Sequence, residues 1–241
     1  MYLSGFHVIE ERIKSGRPCG PLLLAKPGPR AREIVILAQE HKIPVHKVGT
    51  AALDRLSADH RGILLEADDE APEDIPEIKL ENFIAGLGEK KNALAVVLDE
   101  ITDPHNYGAI LRSCDQFGAD IVITRRRRIA KHAQIIAQTS AGASAWVPSA
   151  EAPNLLRAVE MLKDSGFWIY GADMEGRTAW TMDLTGRIAL IFGGEGTGIS
   201  RILKESCDGL IAIPNYGRLD SLNVSVAAGI ILYEIKRQIN G

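Results

Sequence analysis

The chain has little cysteine, and nothing in its spacing pairs what it has. Cys19, Cys114 and Cys207 are odd in number, far apart and free of CxxC spacing. That excludes a disulfide framework or a thiolate zinc site and points to reduced thiols in a cytoplasm. Aromatic residues make up only 5%. No apolar run approaches the ~18 residues of a membrane span. The start, Met1 to Lys14, does not read as a signal segment, because Glu10, Glu11 and Arg12 interrupt it. A strong excess of either charge is missing too: the net charge is −3 and the isoelectric point is near 6.1. A globally basic nucleic-acid coat is thereby excluded, whereas local basic patches are not. What is present, 46% hydrophobic residues over 241 positions, suffices for one large core or two modest ones.

Residues 1–67 read as a small α/β unit. Phe6, Ile9 and Ile13 share helical spacing, and residues 31–41 form a second helical pattern. Leu22–Ala25, Pro44–Val48 and Gly62–Glu66 are short strand candidates. An acidic, proline-bearing stretch from Asp68 to Glu77 breaks sharply in composition from both neighbours, so 68–91 is expected to be a linker. The second domain, 92–241, opens on the continuous apolar run Ala93–Leu98, the mark of a strand covered on both faces. A helix is expected from about Tyr107 to Phe117, then strands at Ile121–Ile123, Phe167–Tyr170, Ile188–Phe192 and Leu210–Pro214. Helices are expected between them, at Lys131–Thr139 and Leu155–Lys163, and last at Val226–Tyr233. This alternation predicts a largely parallel sheet with helices on both faces.

Three stretches carry chemistry. Ile188–Phe192 ends in the loop Gly193-Gly194-Glu195-Gly196-Thr197-Gly198. Its spacing approaches a phosphate-binding loop, but Ile199 stands where the lysine must be and Glu195 would repel phosphate, which argues against a nucleotide hydrolase. The dinucleotide pattern G-x-G-x-x-G also fails. What survives is a backbone that approaches a ligand closely, with one acid beside it. The segment Ser221-Leu222-Asn223-Val224-Ser225 crowds three polar residues at the mouth of an apolar helix. One of them suits a helix cap; the others need partners if buried. Asn106, after Asp103-Pro104, reads alone as a cap and Arg112 alone as a surface residue.

Taken together, Thr102–Arg112, Gly193–Gly198, and Ile213-Pro214 with Ser221–Ala227 resemble the three motifs of the SpoU (TrmH) family, ribose 2′-O-methyltransferases of the SPOUT superfamily. Thr139–Ala143 resembles a fourth family feature. The likeness covers roughly residues 93–241 and is greatest to bacterial enzymes that methylate a guanosine ribose in 23S ribosomal RNA. The first domain resembles the small α/β RNA-binding domain, similar to a ribosomal protein, that precedes many members. The resemblance implies a parallel-sheet SPOUT domain with a deep trefoil knot, S-adenosylmethionine as cofactor, no metal, and a homodimer whose active sites form at the interface. Carried over by position, Gly193, Ile213 and Leu222 would contact the cofactor, with Gly196 and Gly198 shaping the loop. Asn106, Arg112, Glu195, Ser221 and Asn223 would line the reaction centre. One departure is Asn215-Tyr216, where relatives usually have methionine first, which touches the shape of the adenosine pocket.

A guanidinium stays protonated at working pH and is a poor base. Arg112 is therefore expected to steady a developing alkoxide and an adjacent phosphate, with Glu195, Ser221 and Asn223 holding it and relaying the proton. Arg125, Arg126 and Lys131, within the densest basic stretch, are the expected RNA contacts; Arg30, Arg32 and His60 suggest a second patch. Two competing readings are a tRNA ribose methyltransferase and an inactive RNA-binding assembly factor. The presence of all five reaction-centre residues argues against the latter.

Overall fold

The computed structural model describes residues 2–16, 18–57, 60–67, 78–125, 132–219 and 221–241. The chain divides into two compact units, Met1–Asp74 and Ile75–Gly241.

In the first unit, β1 (Tyr2–Leu3), β2 (Leu22–Leu24), β3 (Val45–Lys47) and β4 (Ile63–Glu66) form a sheet of order β1-β4-β2-β3. β2 runs parallel to β3 and antiparallel to β4. Leu22, Leu24, Ile63 and Leu65, which alternate along their strands, pack with Ile9 and Ile13 of α1 (Phe6–Lys14) and Ala31, Ile34 and Ala38 of α2 (Pro29–Glu40). A short α3 (Thr50–Asp54) precedes β4. His60 is buried: its Nδ1 accepts from Gly62 N at 2.8 Å and its Nε2 meets Asp54 Oδ1 at 2.9 Å. Arg30 is tied to Glu10 and Glu33. Of the expected second basic patch, His60 is thus a folding residue, because both ring nitrogens are engaged within the unit.

In the second unit, β5 (Ala93–Asp99), β6 (Ile121–Thr124), β7 (Ser149–Glu151), β8 (Trp168–Thr178), β9 (Arg187–Gly193) and β10 (Gly209–Ala212) form one sheet of order β10-β8-β9-β5-β6-β7, with every pair parallel. β5 is buried throughout. Leu94, Val96 and Leu98 face α5 (Pro104–Gln116) and α9 (Val224–Asn240), while Ala95 and Val97 face α7 (Leu155–Asp164) and α8 (Arg201–Ser206). A helix α4 (Leu80–Gly86) joins that second face through Leu80 and Leu87. The expected linker 68–91 is corrected there: Leu80 and Leu87 belong to the core, with Phe83 and Ile84 packed against it, and 68–77 lie outside the described residues. Between β6 and β7, α6 (Ala133–Thr139) crosses α5 closely; a Cβ on Gly108 would lie 1.9 Å from Thr139 Oγ1 and 3.0 Å from Ile136 O. Arg126 and Lys131 lie outside the described residues. Among those described, no helix is long and apolar enough to cross a membrane.

Because that crossing leaves no room for a methyl group, Gly108→Ala is expected to cost about 1–3 kcal/mol. Adding Thr139→Ala should restore part of the loss. Urea unfolding of the two variants measures this.

Candidate functional site

The carboxyl ends of β5 and β9 lie side by side, the usual place for a ligand in a parallel sheet. Three segments converge there. Asp103 caps α5, accepting from His105 N at 3.1 Å, with Pro104 in the first turn. Asn106 therefore sits inside the first turn and is buried, rather than capping a helix that starts at Tyr107. Next to it Tyr107 is fully packed, and burial pushes its hydroxyl well above the usual tyrosine range, so it stays protonated.

The glycine loop leaves β9 at Gly193 and doubles back. Gly198 N donates to Gly194 O at 2.9 Å, and Gly196 and Gly198 hold φ of 81° and 64°. A Cβ on Gly193 would meet Gly198 C at 2.0 Å and Ile199 N at 2.2 Å. Only glycine lets the loop cross its own root.

Asn223 caps α9: its Oδ1 accepts from Ser225 N at 2.9 Å and from Ser225 Oγ at 2.6 Å. Its Nδ2 donates to Glu195 Oε1 at 2.8 Å and to Asn106 Oδ1 at 2.9 Å. Asn106 Nδ2 donates to the same Glu195 Oε1 at 2.8 Å. Asn106, Glu195 and Asn223 thus form one closed triangle, with both amides on one carboxylate oxygen. Beside it a cavity of ≈ 220 Å³ is lined by segment 100–103, Asn106, Gly194, Glu195, Thr197 and Val224. Among the described residues, no group of three or more His, Cys, Asp or Glu lies together as a metal site would require.

Other expected residues stand apart from the triangle. Ser221 and Leu222 are exposed on the loop before α9, and Ile213 packs against the core beyond β10. Arg112 is exposed on α5, and Glu195 bonds the two asparagines instead of holding it. Arg125 is exposed at the end of β6, 3.7 Å from Glu100. Asn215 braces its own loop, accepting from Gly217 N at 2.8 Å and donating to Leu219 O, and Tyr216 projects into solvent. Two features were missed in sequence reasoning. Glu100 lines the cavity, and Asp99 Oδ2 accepts from Ser200 N at 2.8 Å. An acid ending an otherwise apolar strand was the available signal.

Residues 93–233 match the SpoU rRNA Methylase family, and residues 2–72 match the RNA 2′-O ribose methyltransferase substrate-binding family. The chain belongs to the SpoU family. It is with that an RNA 2′-O-ribose methyltransferase of the TrmH/SpoU type. A Borreliella burgdorferi protein described as an uncharacterized tRNA/rRNA methyltransferase is 41% identical, over 89% of this chain and 96% of that one. A Staphylococcus saprophyticus protein described as a putative TrmH family tRNA/rRNA methyltransferase is 37% identical over 98% and 95%. Among solved structures, an RNA 2′-O ribose methyltransferase superposes with a TM-score of 0.77 at 22% identity, covering 99% of this chain and 88% of its own. The SpoU methyltransferase AviRb from Streptomyces viridochromogenes, in complex with AdoMet, gives 0.65 at 23% over 99% and 89%. These two likenesses are of fold.

The triangle sets an expectation for the SpoU chain's stability. Asn223→Ala removes the α9 cap and both donated bonds, a loss of about 1–2 kcal/mol in urea unfolding. Asn223→Asp keeps the cap but sets a second carboxylate against Glu195. Its deficit should shrink as pH falls through the carboxylate range, whereas that of Asn223→Ala should not.

Proposed function

We propose that this SpoU methyltransferase uses S-adenosylmethionine to methylate a ribose 2′-hydroxyl of ribosomal RNA, a guanosine of 23S RNA by resemblance. The observation that carries the reading is the Asn106–Glu195–Asn223 triangle beside a glycine loop. The residues fit the cofactor. The loop comes close with backbone rather than side chains, and its single acid repels a polyphosphate but suits a sulfonium cation. Leu222 and Ile213 offer apolar surface on the neighbouring loop. Gly193, Gly196 and Gly198 would set the loop's shape around it.

When bound, the cofactor supplies a methyl group already activated on sulfur. What this chain must add is alignment and an exit for the hydroxyl proton. Both asparagine amides fall on Glu195 Oε1. That fixes the carboxylate's orientation and turns its second oxygen to the task of accepting the ribose proton. Ser221 lies on the loop between Leu222 and β10, where it would meet the ribose or its phosphate.

Arg112 enters through dimerisation in this reading. α5 and α9 run side by side in parallel: Asn223 bonds Asn106, Gly229 approaches Ser113 Oγ, and Tyr233 meets Phe117 edge-on at 6.0 Å. Val226, Ile230 and Tyr233, at helical spacing on α9, remain exposed, as does Arg112 on the adjacent helix. An apolar stripe of this kind supports a homodimer in which Arg112 of one copy serves the other's triangle and steadies the alkoxide and phosphate. The N-terminal unit's match to a substrate-binding family supports a large RNA. Arg125, with Arg126 and Lys131, would add backbone contacts that weaken with salt.

Methyl transfer from labelled cofactor to ribosomal RNA and to tRNA, with mapping of the product, is expected to mark a 2′-O-methyl nucleotide in the ribosomal fraction; label in tRNA alone would move the substrate assignment. Glu195→Gln retains an oxygen for both amides, so stability should hold while turnover falls about 100-fold or more. Heterodimers of an Arg112→Ala copy with an Asn223→Ala copy should recover about half of wild-type activity, one intact site in two. Inactive heterodimers would place Arg112 in its own copy's site.

A further inference from the structure

β5 and β9 run in register to their carboxyl ends, and the last pair of that ladder sets Asp99 opposite Gly193. The glycine loop departs at Gly193 and returns at Ser200, whose N–H donates to Asp99 Oδ2 at 2.8 Å. One residue therefore holds both ends of the loop, the departure through the sheet and the return through its side chain. The next residue adds a third point. Glu100 has a left-handed backbone, φ 58°, and a Cβ on Gly194 would meet the Glu100 carbonyl oxygen at 2.8 Å. A non-glycine residue in that conformation is strained and needs its surroundings to hold it.

Among the described residues, two other aspartates of this unit also accept from a backbone N–H remote in the chain, in these cases on a strand. Asp120 Oδ2 accepts from Leu94 N and Asp208 Oδ2 from Ile169 N, each at 2.8 Å. Both are partly exposed, and each has a lysine on its other oxygen, Lys90 and Lys163. Asp99 differs. It is 1% exposed, and among the described residues its Oδ1 has no hydrogen-bond partner and no cation pairs with it. Ser200 Oγ is buried too and, among the described residues, has no hydrogen-bond partner. A carboxylate so placed is costly to the fold, and what it secures is the glycine loop.

We propose that Asp99 is the positioning residue of the cofactor loop, holding 193–200 in the binding shape before any ligand arrives. The role of the loop as cofactor site rests on the function proposed above; the hold itself rests on the geometry. Preorganisation of this kind raises affinity by removing an ordering cost from binding.

The test uses the full chain with Asp99→Ala, Asp99→Asn, Asp99→Glu and, as a control clamp at the opposite end of the sheet, Asp120→Ala. Two quantities are read: the dissociation constant for S-adenosylmethionine by calorimetry, and amide exchange of residues 193–200 without ligand. Asp99→Asn keeps the acceptor oxygen in place and should stay within about threefold of wild type in both. Asp99→Glu keeps the charge but displaces it, and should, like Asp99→Ala, lose at least about tenfold in affinity and speed loop exchange as much. Asp120→Ala should lower thermal stability with both readings unchanged. The proposal is overturned if Glu rescues and Asn does not, if Asp99→Ala matches wild type, or if Asp120→Ala loses affinity equally. Should Asp99→Ala fail to fold, the Asn and Glu pair decides alone. If the unmodified chain binds no cofactor, the methyl-donor reading falls by itself, because exchange still judges the hold of Asp99 on the loop.

Discussion

Two pieces of backbone occupy nearly the same place at the carboxyl edge of the larger sheet. Gly193 and the Gly198–Ile199 peptide lie so close that a single methyl group between them would overlap main-chain atoms. Everything built at the site follows from this crossing. It brings Glu195 to the tip of a loop rooted beside β5, and it carries Ser200 back over Asp99. A buried parallel sheet supplies the rigid floor that such a crossing needs, since a residue at a strand end of β5 or β9 is fixed by neighbours on both faces.

The second consequence is a meeting of three segments that are remote in the chain. Asn106 and Glu195 are 89 positions apart and Asn106 and Asn223 are 117 apart, yet their side chains close one hydrogen-bonded ring. Each member also has a local task. Asn106 fills the first turn of α5, Glu195 occupies the turn of the glycine loop, and Asn223 caps α9. Side chains on rigid element ends are held to closer tolerances than side chains on free loops, and Asn106 and Asn223, so held, fix Glu195 between them; the methyl transfer proposed for this ring would depend on such alignment.

Much of this was legible in the sequence where a local rule governs. The unbroken apolar run Ala93–Leu98 announced a strand covered on both faces, and β5 is buried from end to end. The glycine loop, the cap at the mouth of α9 and the short strands of the first unit followed from turn and periodicity rules. Misreadings came where context outweighs composition. Leu80 and Leu87 flank too short a helix, beside too acidic a neighbour, to stand out from a linker, yet tertiary packing orders them. The helix expected from about Tyr107 starts earlier, at Pro104, because a first-turn proline loses no hydrogen bond. His60 looked like a nucleic-acid contact and is instead closed off by Asp54 and Gly62. The ring joining Asn106, Glu195 and Asn223 had no local signature at all; only the resemblance to a family brought those residues together in advance.

The most direct measurement of the central claim is a crystal structure of the chain grown with S-adenosylmethionine. The account predicts the donor at the carboxyl end of β9, against the backbone of 193–198 and the loop before α9, with its methyl group turned toward the Asn106–Glu195–Asn223 ring. A donor bound elsewhere, or that edge closed by packed side chains under saturating ligand, would contradict it.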